Sequence, residues 1–130
     1  MTVADINIDE FFRDAARALL SLYDAFPRPI ILYVEDLNGP DETDEFGLHS
    51  PRHLACYEAL LWLGAEGYLR FADAIKQEAL DQAVLSERAF LMLNRRPPDS
   101  DQRHLTRLRD ALKARSSTQL ETAMLAFMES

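Results

Sequence analysis

Pro27 and Pro29 close the longest apolar-periodic stretch of this chain, and they set how it can begin to fold. Ile8, Phe11, Phe12, Ala15, Leu19, Leu22, Tyr23 and Phe26 recur at three- and four-residue steps. That spacing predicts one amphipathic helix over residues 8–26. Asn7 followed by Glu10 fits a capping box at its start. Neither proline can donate a backbone N–H, and each restricts the residue before it, so the helix must stop there. Ile30–Val34 follows, short, apolar and partly β-branched, which predicts a buried strand.

Residues 35–50 read as a loop. Gly39-Pro40 breaks regular structure, and Glu35, Asp36, Asp41, Glu42, Asp44 and Glu45 sit there without a base. Ser50 is placed to cap a second helix over residues 51–66, with Pro51 at its first position. Leu54, Tyr57, Leu60 and Leu61 give that helix a buried stripe, and Gly67 suits a left-handed stop. Residues 72–83 have helical propensity but are better read as a hairpin, with strands at Tyr68–Phe71 and Ala83–Leu85, because Ser86 opens a fresh helical period. Arg95-Arg96-Pro97-Pro98 forms a stiff linker. Asp99 with Gln102 predicts a helix to about Ala114, and Ser116 with Gln119 predicts a last one. The expected fold is mainly α with a small antiparallel sheet. Residues 1–94 are read as one domain and 95–130 as a C-terminal helical pair.

The net charge of −8 is uneven. Residues 1–93 hold 7 Lys/Arg against 17 Asp/Glu, whereas residues 94–116 hold 7 against 3. An acidic body thus carries a basic segment, which either lies on an acidic partner such as nucleic acid or complements the body itself. Bulk charge argues against a protein that coats nucleic acid. No apolar run reaches the roughly 20 residues of a membrane span. Met1–Glu10 carry three acids and no base, unlike a secretory or transit leader. Cys56 is the only cysteine, which excludes an intrachain disulfide or a cysteine-based zinc cluster. These features point to a cytoplasmic protein.

Leu60-Leu61-Trp62-Leu63 leads into Glu66-Gly67-Tyr68-Leu69, and Ala83-Val84-Leu85-Ser86-Glu87-Arg88-Ala89-Phe90 follows, with Leu93 beyond. Together with the first helix and strand, this order resembles the prokaryotic winged-helix superfamily over residues 8–94. The chain departs from that family in having Ser86 where Thr is usual, Ala89 where Gly is usual, and no glycine in the wing connection. The resemblance implies that the helix at 51–66 enters a DNA major groove and that residues 70–82 form the wing. Arg52 and His53 would then read bases, Arg70 and Lys76 would touch DNA from the wing, and Arg103 and Arg107 would be candidate phosphate contacts. Glu58, Glu66, Asp73 and Glu78 oppose that use, and winged helices also serve as protein-docking modules. The reading is therefore a non-enzymatic DNA-binding or regulatory protein of a prokaryote or mobile element. The alternative is an acidic protein–protein adaptor.

No nucleophile elbow, phosphate-binding glycine loop or dinucleotide fingerprint is present, and no cofactor is expected. His49 and His53 are four residues apart and, with Cys56 or an acid of the 41–45 loop, could form a metal site only if the helix began by residue 49 so that both shared a face. Ser50-Pro51 places His49 outside it, so no metal site is expected either. Tyr57, Trp62, Tyr68 and Phe71 read as core aromatics. Leu120, Met124, Phe127 and Met128 form an apolar face that either packs on the first helix or builds a homodimer, and the dimer is the expectation.

Overall fold

A computed structural model describes residues 5–130. Six helices and a small antiparallel sheet follow one another as α1 (Ile6–Ala25), β1 (Ile30–Tyr33), α2 (Val34–Asn38), α3 (Pro51–Ala65), β2 (Leu69–Arg70), β3 (Asp73–Ile75), β4 (Ala79–Leu85), α4 (Glu87–Asn94), α5 (His104–Ala114) and α6 (Ser117–Met128). The expected class, mainly α with a small antiparallel sheet, is the one found.

α1 ends at the prolines, as its sequence requires, but it starts at Ile6, so Asn7 lies inside the helix and forms no cap. Ile8 is exposed rather than part of the buried stripe. Ala16 and Ala18, outside the expected stripe, are fully buried along with Ala15, Leu19 and Leu22. These small residues let other helices approach α1 closely on more than one side, and α3, α5 and α6 all pack on it.

β1 stops at Tyr33, one residue short of the expected strand, and Val34 begins α2 instead. The segment expected to be loop thus opens with a helical turn whose Val34 and Leu37 are buried. α3 begins as its sequence predicts. The Ser50 hydroxyl accepts from the His53 N–H at 3.2 Å, and Pro51 fills the first turn. Gly64, which weakens α3 by propensity, leaves room for Phe71, because a Cβ there would lie 2.9 Å from that ring and force it to shift.

The hairpin prevails over the helix at residues 72–83. β4 is longer than expected and runs down the centre of the sheet, with β1 on one side and β2 on the other. β3 also pairs with β4, in the register Asp73↔Asp81 and Ile75↔Ala79. Lys76 and Gln77 both adopt positive φ in the turn, at 43° and 63°, doing without glycine. A bulge between the Ile30↔Ala83 and Leu32↔Leu80 pairs puts Gln82 at φ 52°.

Ser86 and Ser116 cap α4 and α6, accepting from the Ala89 and Gln119 N–H groups at 3.1 Å each. The Asp99–Gln102 box does not form. The chain turns through 98–102, where the Gln102 N–H is taken by the Ser100 hydroxyl, and α5 starts only at His104, whose N–H donates to the Arg95 carbonyl at 2.9 Å.

One apolar core runs across the expected division at residue 94. Leu105, Leu108, Leu120, Met124 and Phe127 belong to the same buried cluster as Leu19, Leu60 and Leu85. Leu120, Met124 and Phe127 are 5%, 1% and 1% exposed, and Met128 packs against the cluster from its margin. The face expected to build a dimer is therefore turned into its own chain, because α1 offers α6 a surface of small side chains to pack on.

Candidate functional site

Of the residues expected to touch DNA, Arg52 and His53 are engaged within the fold, whereas Arg70, Lys76 and Arg103 are exposed. The Arg52 guanidinium grips Asp14 of α1 through both terminal nitrogens, one of them at 2.7 Å from Oδ2, and Glu10 lies 3.8 Å away. Asp14 is 1% exposed, so this pairing keeps a buried carboxylate neutralised. His53 faces inward and is fully buried, its Nε2 2.9 Å from the Gln77 carbonyl. Both corrections have one cause: the first turn of α3 is the part of that helix wedged between α1 and the β3–β4 turn. Arg70 and Lys76 are exposed on the strand and turn expected to form the wing. Arg103 donates to Asn94 at 2.8 Å, and Arg107 is half-buried on α5. From the same basic helix, Arg109 pairs with Asp24 of α1.

Beyond Pro51 at its start, what α3 exposes is Ala55, Glu58, Trp62 and Ala65. Trp62, expected in the core, is 37% exposed yet firmly held. Phe11 meets its ring edge-on at a centroid distance of 5.1 Å, and Tyr68 lies near-parallel at 6.0 Å. Arg88 stands over Tyr68, 4.7 Å from the ring centre, and is fixed by donating to the Glu66 carbonyl at 2.9 Å. The result is an aromatic side chain held in place with one face in solvent.

A second constellation lies at the start of α3. His49 does sit outside the helix, as Ser50-Pro51 requires, but the loop before it folds back so that His49 stacks on His53 with ring centres 3.8 Å apart and planes 7° from parallel. Asp41 completes the group. Its Oδ2 lies 2.9 Å from His49 Nδ1 and 3.8 Å from His53 Nδ1. Ser50 donates its hydroxyl to Asp41 Oδ1 and its N–H to Oδ2, the latter at 3.0 Å. The Ser50 hydroxyl bond, chiefly, holds the Asp41 carboxyl down to about 2, with His49 and His53 helping. Its contact with Asp41, and then Glu78 at 3.2 Å from Nε2, raises the His49 imidazole above its ordinary value. His53 Nδ1 is buried with no hydrogen-bond partner among the described residues. The sequence offered the His49–His53 spacing as a signal. Asp41 was among the acids of the 41–45 loop that the sequence offered as partners, but nothing local distinguishes it from the others, and nothing pointed to Glu78.

Cys56 is fully buried, and burial first, with the nearby Asp14 adding to it, pushes its thiol up to about 12. It therefore stays protonated and is no nucleophile. No family model, no curated protein and no solved structure matches this chain.

Proposed function

We propose that this protein is a non-enzymatic, winged-helix-like docking module that binds another protein through the exposed face of α3. The order α1, β1, α2, α3 and a hairpin whose last strand returns between β1 and β2 supports the winged-helix reading. The observation that favours protein over DNA is the composition of that α3 face. It presents Glu58 and Trp62, while Arg52, the helix's one cation, is bound to Asp14. A DNA reader neutralises several phosphates with free Lys or Arg at the groove-facing helix. In the basic segment, Arg109 of α5 pairs with Asp24 of α1, which supports the reading that this segment complements the acidic body.

Trp62 has the character of an interface anchor. Trp and Arg dominate the energetically important residues of protein interfaces, most of all where the side chain is already ordered before binding. Phe11, Tyr68 and Arg88 supply that order. The partner surface that suits Glu58 and Trp62 is an apolar pocket with a basic rim.

A photo-crosslinking amino acid at position 62 tests this reading. The captured chain is to be identified, purified and titrated against wild type and Trp62→Ala. A loss of affinity of at least ~10-fold is expected for an anchor residue. Equal affinities would overturn the reading. So would a gel shift on duplex DNA at micromolar protein that weakens steeply with salt, which would favour the DNA-binding alternative.

A further inference from the structure

We propose that Asp41, His49 and His53 form a binding site for one divalent transition-metal cation of the Zn2+ type, held by two imidazole nitrogens and one carboxylate oxygen. The three donor atoms lie within 4.8 Å of one another. In a tetrahedral Zn2+ site with bonds of about 2.0–2.1 Å, neighbouring donors stand about 3.3 Å apart. The Asp41 oxygen stands 2.9 Å from one imidazole nitrogen and 3.8 Å from the other, on either side of that value. The two rings, stacked 7° from parallel, would have to splay apart for their in-plane lone pairs to converge on a shared ion beside the Asp41 oxygen.

The hydrogen bonds on the far sides of the rings point the same way. The Gln77 carbonyl can only accept, so His53 Nε2 carries a hydrogen and, in the neutral ring, Nδ1 is a bare lone pair. That lone pair is buried 3.8 Å from a carboxylate oxygen, with no donor to meet it among the described residues. Left so, it is a desolvated acceptor facing a negative charge; a cation between them removes both costs. His49 is held in the matching way, its Nε2 3.2 Å from the Glu78 carboxylate and its Nδ1 turned to Asp41. Metal-binding histidines characteristically donate their other N–H to a carboxylate or a backbone carbonyl, which fixes the ring and raises its basicity. Both arrangements are present here, one on each ring. The nitrogen-rich donor set suits Zn2+, Co2+, Ni2+ or Cu2+ and not Ca2+ or Mg2+, which take oxygen cages. Three protein ligands leave a fourth position for water. Ser50 keeps Asp41 ionised and oriented by donating to both of its oxygens.

The ligands come from different pieces of chain. Asp41 and His49 belong to the connection after α2, His53 to the first turn of α3, and the supporting Gln77 and Glu78 to the β3–β4 turn. Metal at this point would bind the connection and the hairpin tip to the start of α3. The proposal does not depend on what Trp62 contacts.

The test uses full-length, tag-free protein stripped with a chelator and titrated with Zn2+ by calorimetry, then with Co2+ by visible absorption. One equivalent of Zn2+ is expected, together with the strong visible bands of a low-symmetry four-coordinate Co2+ centre. His49→Ala and Asp41→Asn, both in partly exposed positions, are each expected to weaken Zn2+ binding by well over 10-fold while remaining folded by circular dichroism. Glu78→Gln, which removes only the supporting carboxylate charge, is expected to weaken it by roughly 10-fold. Absence of saturable binding in the wild type would overturn the proposal. So would equal Zn2+ affinity in wild type, His49→Ala and Asp41→Asn, and that result does not rely on any variant of the buried His53.

Discussion

Arg52 shows how one side chain can carry two incompatible assignments. As a base reader it would be dispensable to the fold; as the partner of Asp14 it is structural. The carboxylate is 1% exposed, and the guanidinium is the counter-charge hydrogen-bonded to it. Removing one member of a buried pair leaves the other charged and desolvated, which costs about 3–5 kcal/mol when both are fully buried. Arg52 keeps 27% of its side chain in solvent, so Arg52→Met is expected to cost about 2–3 kcal/mol. Chemical denaturation measures it, and Asp14→Asn in the Arg52→Met background is expected to recover part of the loss. His53 repeats the lesson nearby. Its place in the first turn of a helix was legible from Ser50-Pro51, but which way that turn faces was not. Facing depends on what α1 and the β3–β4 turn bring to it, and those lie 38 and 24 residues away along the chain. Local periodicity carries no information across such distances.

At the scale of elements, caps and breakers were the most legible signals. Ser50, Ser86 and Ser116 each accept the expected N–H, because a hydroxyl beside a helix start needs no tertiary help to do so. The box at Asp99 failed where a competing partner existed: the Arg95 carbonyl takes the His104 N–H, and the helix begins there instead. The hairpin was legible only from the capping serine that follows it, since its turn lacks the usual glycine. Lys76 and Gln77 take the left-handed conformation without it, at a cost of roughly 1–2 kcal/mol each before turn and hydrogen-bond gains. The double substitution Lys76→Asn with Gln77→Gly supplies the pair that such turns favour. It keeps the carbonyl that His53 uses, and it is expected to stabilise the protein by about 1 kcal/mol after the entropic penalty of glycine. A rise in melting temperature of about 3–6 °C would register it.

For the whole molecule, the class was legible, but the packing of the last helix against the first was not. The apolar stripe of α1 was visible in its large residues, but Ala16 and Ala18 lie off that stripe and are fully buried. Small side chains carry little hydrophobic signal, yet they decide how many neighbours a helix can accept. Leu120, Met124 and Phe127 of α6, which packs on α1, join the same buried cluster as those alanines. A fragment of residues 1–94 is therefore expected to lose cooperative unfolding and near-ultraviolet circular dichroism while keeping helical signal, the behaviour of a chain with secondary structure and no fixed core. A sharp denaturation midpoint in that fragment would show that the first part closes its own core. The arrangement also sets an order in time. A ribosome adding about 5–20 residues per second needs roughly 5–20 s to go from the end of α1 to the end of α6. Until α6 is made, the side of the first helix that α6 packs on lacks that cover, so a newborn chain of this protein spends seconds with an apolar surface available to any chaperone or protease that reaches it first.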